Sequence, residues 1–246
     1  MKRIWPLAAL GIVTYLVLVI VTLPASVILS RLPPPIAIAG VEGTAWNGRA
    51  QIVQIGPTQL GNVSWNLHAL PLFIGRLSVD LKVARRDGFV ETGLSVPMTG
   101  GKLTLTDLTA SMPLSALPPS AAPGWTGTIN AKMTKLVLEN GWPVELDGTA
   151  DVLDLTGPAR RPANMGSYKV IFPPDAAGEE LVGALSDQGG PMEIAGNIRL
   201  KPDRSYLIEG SIAARPEAGS SITDSLRFLG EPDAQGRRPF SLAGTM

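Results

Sequence analysis

Apolar and polar residues alternate along much of this chain with a period of two. In Leu77-Ser78-Val79-Asp80-Leu81-Lys82-Val83 every odd position is apolar and every even one polar. Lys102-Leu103-Thr104-Leu105-Thr106 repeats the pattern. Ile194 to Lys201 follows it less cleanly in its first half, and Tyr206 to Ile212 less strictly still. A strand points successive side chains to opposite faces, so this spacing predicts sheets with one apolar and one polar face. Such one-faced sheets are usually antiparallel. Turn signals punctuate the runs: Arg86-Asp87-Gly88, Thr99-Gly100-Gly101, Glu139-Asn140-Gly141, Gln188-Gly189-Gly190 and Lys201-Pro202-Asp203-Arg204. The expected fold is all-β, a mainly antiparallel meander of roughly ten to twelve strands. It forms either an elongated or curved open sheet or a sandwich, and the pattern alone does not choose.

Helical spacing is scarce. Ser221-Ile222-Thr223-Asp224 resembles a capping box, Gly230 stands where a C-terminal cap would, and Ile222, Leu226 and Leu229 fall on one face. A short helix there is expected to pack on the sheet. Met112 to Leu117 suggests a single helical turn, and Ala177 to Leu185 another short helix. Leu117-Pro118-Pro119-Ser120-Ala121-Ala122-Pro123 reads either as a hinge or as a surface loop.

The N-terminus breaks the alternation altogether. After Met1-Lys2-Arg3, residues Ile4 to Leu29 carry no charge. About 20 apolar helical residues cross the hydrocarbon core of a bilayer. A cleaved signal peptide has a shorter apolar region, roughly 7–15 residues. Here Pro24-Ala25-Ser26 is followed by more apolar sequence, Val27-Ile28-Leu29. The reading is therefore an uncleaved, single-pass anchor. Residues 1–3 form a cytoplasmic tail held there by Lys2 and Arg3, and residues 4–29 the transmembrane anchor. Residues 30–35 form a Pro-rich spacer and residues 36–246 a β domain across the membrane. In a bacterium with two membranes that space is the periplasm.

Composition narrows the chemistry. With 21 basic and 21 acidic residues there is no positive excess to draw nucleic acid. The chain has no cysteine, which removes disulfides, thiol catalysis and thiolate metal sites. Its single histidine, His68, has no sequence-local partner for a triad. Asp151 with Asp154 and Glu179 with Glu180 are read as solvated pairs. No phosphate-binding loop motif occurs. No catalytic residue, metal or cofactor is expected, and a periplasmic hydrolase would need His68 or one of those carboxylate pairs.

One cluster is conspicuous: Val41-Glu42-Gly43-Thr44-Ala45-Trp46-Asn47-Gly48, then Leu60-Gly61-Asn62-Val63-Ser64-Trp65-Asn66-Leu67. Glycines permit tight turns and close approach, and tryptophans cover the ends of sheet cores. Tryptophan also anchors interfaces, so Gly43, Trp46, Gly48, Gly61 and Trp65 are candidates for a partner surface as well.

At these residues the chain resembles the type II secretion system protein N family (GspN). Leu70-Pro71-Leu72-Phe73-Ile74-Gly75-Arg76-Leu77 continues the likeness. So do Gly210, Leu226-Arg227-Phe228-Leu229-Gly230, Pro232-Asp233 with Gly236-Arg237, Phe240 and Gly244. The resemblance implies a non-enzymatic, inner-membrane component of the machine that exports folded proteins from the periplasm across the outer membrane. Its expected partners are other components of that apparatus, either the inner-membrane platform or the outer-membrane secretin. The five glycine and tryptophan positions carry over as signature residues, with no catalytic role. An alternative keeps the same alternation: a groove similar to those of the AsmA family, whose curved sheets hold lipid acyl chains on an apolar face.

Overall fold

Strand follows strand in the order of the sequence. The computed structural model describes residues 5–29, 35–56, 58–117, 123–158, 163–174 and 180–245. The expected tail, residues 30–34 of the spacer, Arg160, Arg161, Glu179 and residues 118–122 of the Pro/Ala loop lie outside them. The chain divides into two compact units, Met1–Arg86 and Asp87–Met246. The boundary falls at Arg86-Asp87-Gly88, a stretch whose sequence reads only as a turn.

The first unit opens with helices α1 (Trp5–Val21) and α2 (Ala25–Leu29). Strands β1 (Ile36–Gly43), β2 (Asn47–Ile55) and β3 (Thr58–His68) follow, then the one-turn helix α3 (Ala69–Leu72) and β4 (Arg76–Ala84). Each strand pairs antiparallel with the one before it. The β3–β4 register sets Val63 opposite Val83, Trp65 opposite Leu81 and Leu67 opposite Val79. The apolar face expected of residues 77–83 thus meets an equally apolar face on its neighbour, the pairing that stabilises a sheet. Little of this unit is deeply buried: among its described residues Ala25, Ala50 and Val53 are the closed apolar ones.

The anchor expected over residues 4–29 is not one continuous helix. α1 ends at Val21, and Pro24, which has no N–H to donate, sits in an isolated bridge to Thr44 before α2 begins. Among the described residues no helix is both long and apolar enough to cross a membrane, α1 having 17 residues.

The second unit contains β5 (Phe89–Pro97), β6 (Leu103–Pro113), β7 (Thr126–Glu139), β8 (Trp142–Thr156) and β9 (Asn164–Phe172). It continues with β10 (Leu181–Asp187), β11 (Met192–Leu200), β12 (Ser205–Ala214), helix α4 (Ser220–Leu226) and β13 (Arg238–Thr245). All consecutive strands from β5 to β13 pair antiparallel. The meander is as the alternation predicts, with thirteen strands among the described residues of both units, one more than the upper expectation. Asn140 (φ 52°) and Gly141 (φ 79°) join β7 to β8 in two left-handed residues, the turn whose twist suits a hairpin.

Two apolar clusters hold this unit. Met133, Leu146, Phe172 and Leu181 form one. Tyr168, Met192 and Ile212 form the other, closed by Ile222 and Leu226 of α4. The expected helix is present, but Leu229 stays partly exposed, and Gly219 rather than Ser221 stands at the N-cap. The helical turn near Met112–Leu117 is a 3-10 turn, Leu114–Ala116. The helix expected over Ala177–Leu185 is wrong for its described part, because Leu181–Asp187 is strand β10. A Cβ on Gly183 would come within 2.7 Å of the Phe172 ring, so the strand is packed tightly against β9 by a residue with no side chain.

Candidate functional site

The Gly/Trp cluster forms a junction at one end of the first unit. Gly43 has φ +90°, and a Cβ there would lie 2.5 Å from the Asn47 carbonyl oxygen. That closeness lets β1 turn into β2, a turn fastened by the Thr44 N–H donating to Asn47 O at 2.9 Å. One residue on, Gly48 lies beneath the Trp65 ring, where a Cβ would meet Cζ2 at 2.5 Å and Glu42 O at 2.8 Å. The Trp65 indole donates to Ala45 O at 3.2 Å.

Trp46 reaches a different element. Its indole N–H donates to Ile20 O, in the last turn of α1, at 2.7 Å. The last carbonyls of a helix lack intrahelical partners, and Ile20 O accepts this bond alongside a longer one from the Leu23 N–H at 3.4 Å. The Ala45 N–H donates to Leu23 O at 2.8 Å, and the Leu67 N–H donates to Trp46 O at 2.6 Å. The junction therefore rivets the end of α1 to the β1–β2 turn and to the end of β3.

Gly43, Trp46, Gly48 and Trp65 are brought together in this way. Gly61 is not; it lies farther along β3, where φ +85° and an Ala84 carbonyl 2.8 Å from a would-be Cβ explain the glycine. Beside the junction is an open depression of about 370 Å³ lined by Glu42, Gly43, Asn47, Gly48, Arg49 and Ser64. Its one strong pair is Arg49 to Glu42, with N–O distances of 2.5 and 2.8 Å.

The catalytic candidates are scattered. His68 Nε2 is 2.9 Å from Asp80 Oδ2, and both side chains are about half exposed. Asp151 meets Lys169 at 3.3 Å and Gln188 at 2.6 Å, while Asp154 sits at positive φ in a bulge of β8. Glu180 faces Lys201 at 3.7 Å. Among the described residues no group of three or more His, Cys, Asp or Glu is arranged to hold a metal ion.

The strongest polar constellation has no local sequence signal. Asp187, at the end of β10, accepts from Arg215 at 2.6 Å and from the Gly189 and Ile194 N–H groups at 3.1 Å each. Burial alone would raise this carboxyl, but those bonds outweigh it and hold it below the ordinary carboxylate range. Burial, with the Asp187 charge nearby, pushes the Tyr168 phenol up to about 12. The group locks the β10–β11 turn, and its partners are 28 residues apart, which no motif reading spans. Pro232-Asp233 with Gly236-Arg237 is likewise a turn, in which Asp233 Oδ1 accepts from Gln235 and Arg237 N–H groups at 2.9 and 2.8 Å. Those two bonds hold its carboxyl below the usual range, although burial opposes them.

Comparison with known proteins adds what geometry cannot. Residues 34–241 match the family model for type II secretion system (T2SS), protein N. The chain is 28% identical to "Type II secretion system protein N" of Aeromonas hydrophila, covering 99% of each chain. It is 27% identical to the protein of that name in Vibrio cholerae, over 93% of each. A 45-residue stretch is 42% identical to one from Aeromonas salmonicida, 18% of this chain and 96% of that one. No solved structure matches.

Proposed function

The chain belongs to the type II secretion system protein N family, and on that ground we propose that it is a non-enzymatic, inner-membrane component of type II secretion. In this reading it supports export of folded proteins from the periplasm across the outer membrane. The observation that carries the membrane part is α1. Its described side chains from Leu10 to Val21 are apolar or weakly polar, and all are exposed rather than packed on the sheet. Water disfavours such a surface, and a bilayer accepts it. A helix of 17 residues is about 25 Å long, and the bilayer accommodates a short helix by thinning locally. The N-terminus is cytoplasmic and both β units are periplasmic, in keeping with Lys2 and Arg3 ahead of α1.

The Trp46 and Trp65 indoles already bond carbonyls of this chain, which favours a fastening role over a partner-facing one. For a partner, whether inner-membrane platform or secretin, β13 is the better candidate. It ends the strand order of its unit and pairs with β12 alone among the described residues. Exposed strand edges recruit partners by strand addition.

The test is genetic and biochemical. Removing the protein from a type II-secreting bacterium is expected to leave folded substrate in the periplasm, and the whole chain is expected to restore its release. Unchanged release after clean removal overturns the reading. Acyl lipid that repeatedly co-purifies with the second unit would favour the groove alternative instead.

A further inference from the structure

The connection between β3 and β4 exposes its apolar side chains. Leu70, Phe73 and Ile74 are 82%, 86% and 75% exposed, while Pro71 and Leu72 are half-buried beneath them. The backbone is well made: α3 closes with Phe73, Ile74 and Gly75 N–H groups donating to Leu70, Pro71 and Leu72 carbonyls at 3.0–3.2 Å. Leu70-Pro71-Leu72-Phe73-Ile74-Gly75 contains no charge, and exposed Arg76 follows it. A structured, uncharged tip presenting three large apolar side chains marks a contact surface.

Topology identifies the occupant. The antiparallel order sends β1 and β3 in one direction, so the β1–β2 turn and the β3–β4 tip share an end of the sheet. The Leu67 N–H to Trp46 O bond ties that turn to the end of β3, just before the tip begins. The same Trp46 holds the end of α1. The outward apolar tip therefore stands at the end of the sheet from which the outward apolar helix leaves.

We infer that Leu70, Phe73 and Ile74 form a second membrane contact, inserted among lipid headgroups and upper acyl chains beside α1. This rests on the membrane reading of α1. Interfacial elements of this kind bury their apolar face about 5–10 Å into the headgroup and acyl boundary. Exposed Arg76, next in the chain, supplies a positive charge for anionic headgroups. Two attachments, helix and tip, fix the tilt of the first unit against the bilayer, where a single helix leaves it free to swivel.

The chain has no cysteine, so single cysteines report one position each. Full-length Phe73→Cys, with Ile74→Cys as an independent second position, would carry an environment-sensitive fluorophore. The proteins would be reconstituted in phosphatidylethanolamine–phosphatidylglycerol vesicles with brominated acyl chains. Gln59→Cys, exposed at the opposite end of the same sheet, is the aqueous reference, and Leu16→Cys the α1 reference. Loss of most fluorescence at positions 73 and 74, with none at 59, supports the inference. Quenching at 16 but none at 73 or 74 overturns the tip contact and leaves the anchor standing. No quenching at 16, 73 or 74 overturns both. A label at 73 that is shielded only in cells carrying the other secretion components, without lipid quenching, also overturns it and makes the tip a protein contact.

Discussion

The two units differ in how much large apolar surface they close off. The second closes Met133, Leu146, Phe172 and Leu181 into one cluster, and Tyr168, Met192, Ile212, Ile222 and Leu226 into another. Among the described residues the first closes Ala25, Ala50 and Val53, and turns Leu70, Phe73, Ile74 and the α1 side chains from Leu10 to Val21 outward. A domain in water is stabilised by gathering large apolar groups inside, although some always remain at the surface. The second unit does this through its two clusters, while Phe228, 91% exposed, and Met98, 67% exposed, stay outside them. The first depends on strand ladders, glycine-permitted close contacts and two indole hydrogen bonds, and the proposed membrane attachment would give its outward groups a lipid surround.

The largest test of this contrast is Phe172→Ala. Emptying a site only 6% exposed is expected to cost about 3–5 kcal/mol. Hydrogen exchange should accelerate across β7–β11 and leave β1–β4 unchanged; equal acceleration in both units would erase the distinction. Gly48→Ala is the reciprocal change. Its Cβ collides with Trp65 and the Glu42 carbonyl, and overpacking of this kind costs about 1–3 kcal/mol. The effect should be confined to β1–β3.

Asp187→Asn comes next, with an expected loss of about 1–2 kcal/mol at neutral pH, read from urea unfolding. Because the folded carboxyl lies below its ordinary value, its contribution is complete above the unfolded range near pH ~4 and disappears as pH falls through the folded value. The gap between wild type and variant should close in acid. At the other extreme, the Tyr168 phenol favours its neutral form in the fold, so the second unit should weaken as pH rises from about 10 toward 12. The smallest effect is that of Trp46→Phe. It removes one indole bond, about 1 kcal/mol, and should show as faster proteolysis in the Thr22–Pro24 connection rather than as global unfolding.

Much of the sheet was legible because its signals are local. Leu77 to Val83 and Ile194 to Leu200 alternate and lie in β4 and β11, and Asn140-Gly141 makes the two-residue turn its composition demands. Leu181 to Leu185 misled for a physical reason. Leu-Val-Gly-Ala-Leu suits either period, and the contact of Gly183 with Phe172, which decides it, comes from another strand. The Gly/Trp cluster was visible as a cluster, but not as a rivet, since Trp46 and Ile20 are 26 positions apart. The Leu70–Ile74 tip could have been found as an uncharged apolar run between two alternating segments. Its exposure could not, because apolar composition alone reads as core.

The strand order has a kinetic side. In both units every ladder between named strands of the described residues joins a strand to its immediate predecessor, so strand pairing does not wait for a distant segment of chain. Closing short loops costs little entropy, and low contact order speeds folding. A chain emerging from its N-terminus can add each strand to the edge just completed. Each new strand covers the previous edge and exposes its own, so growth moves one edge forward while the outer edge of the first strand stays open.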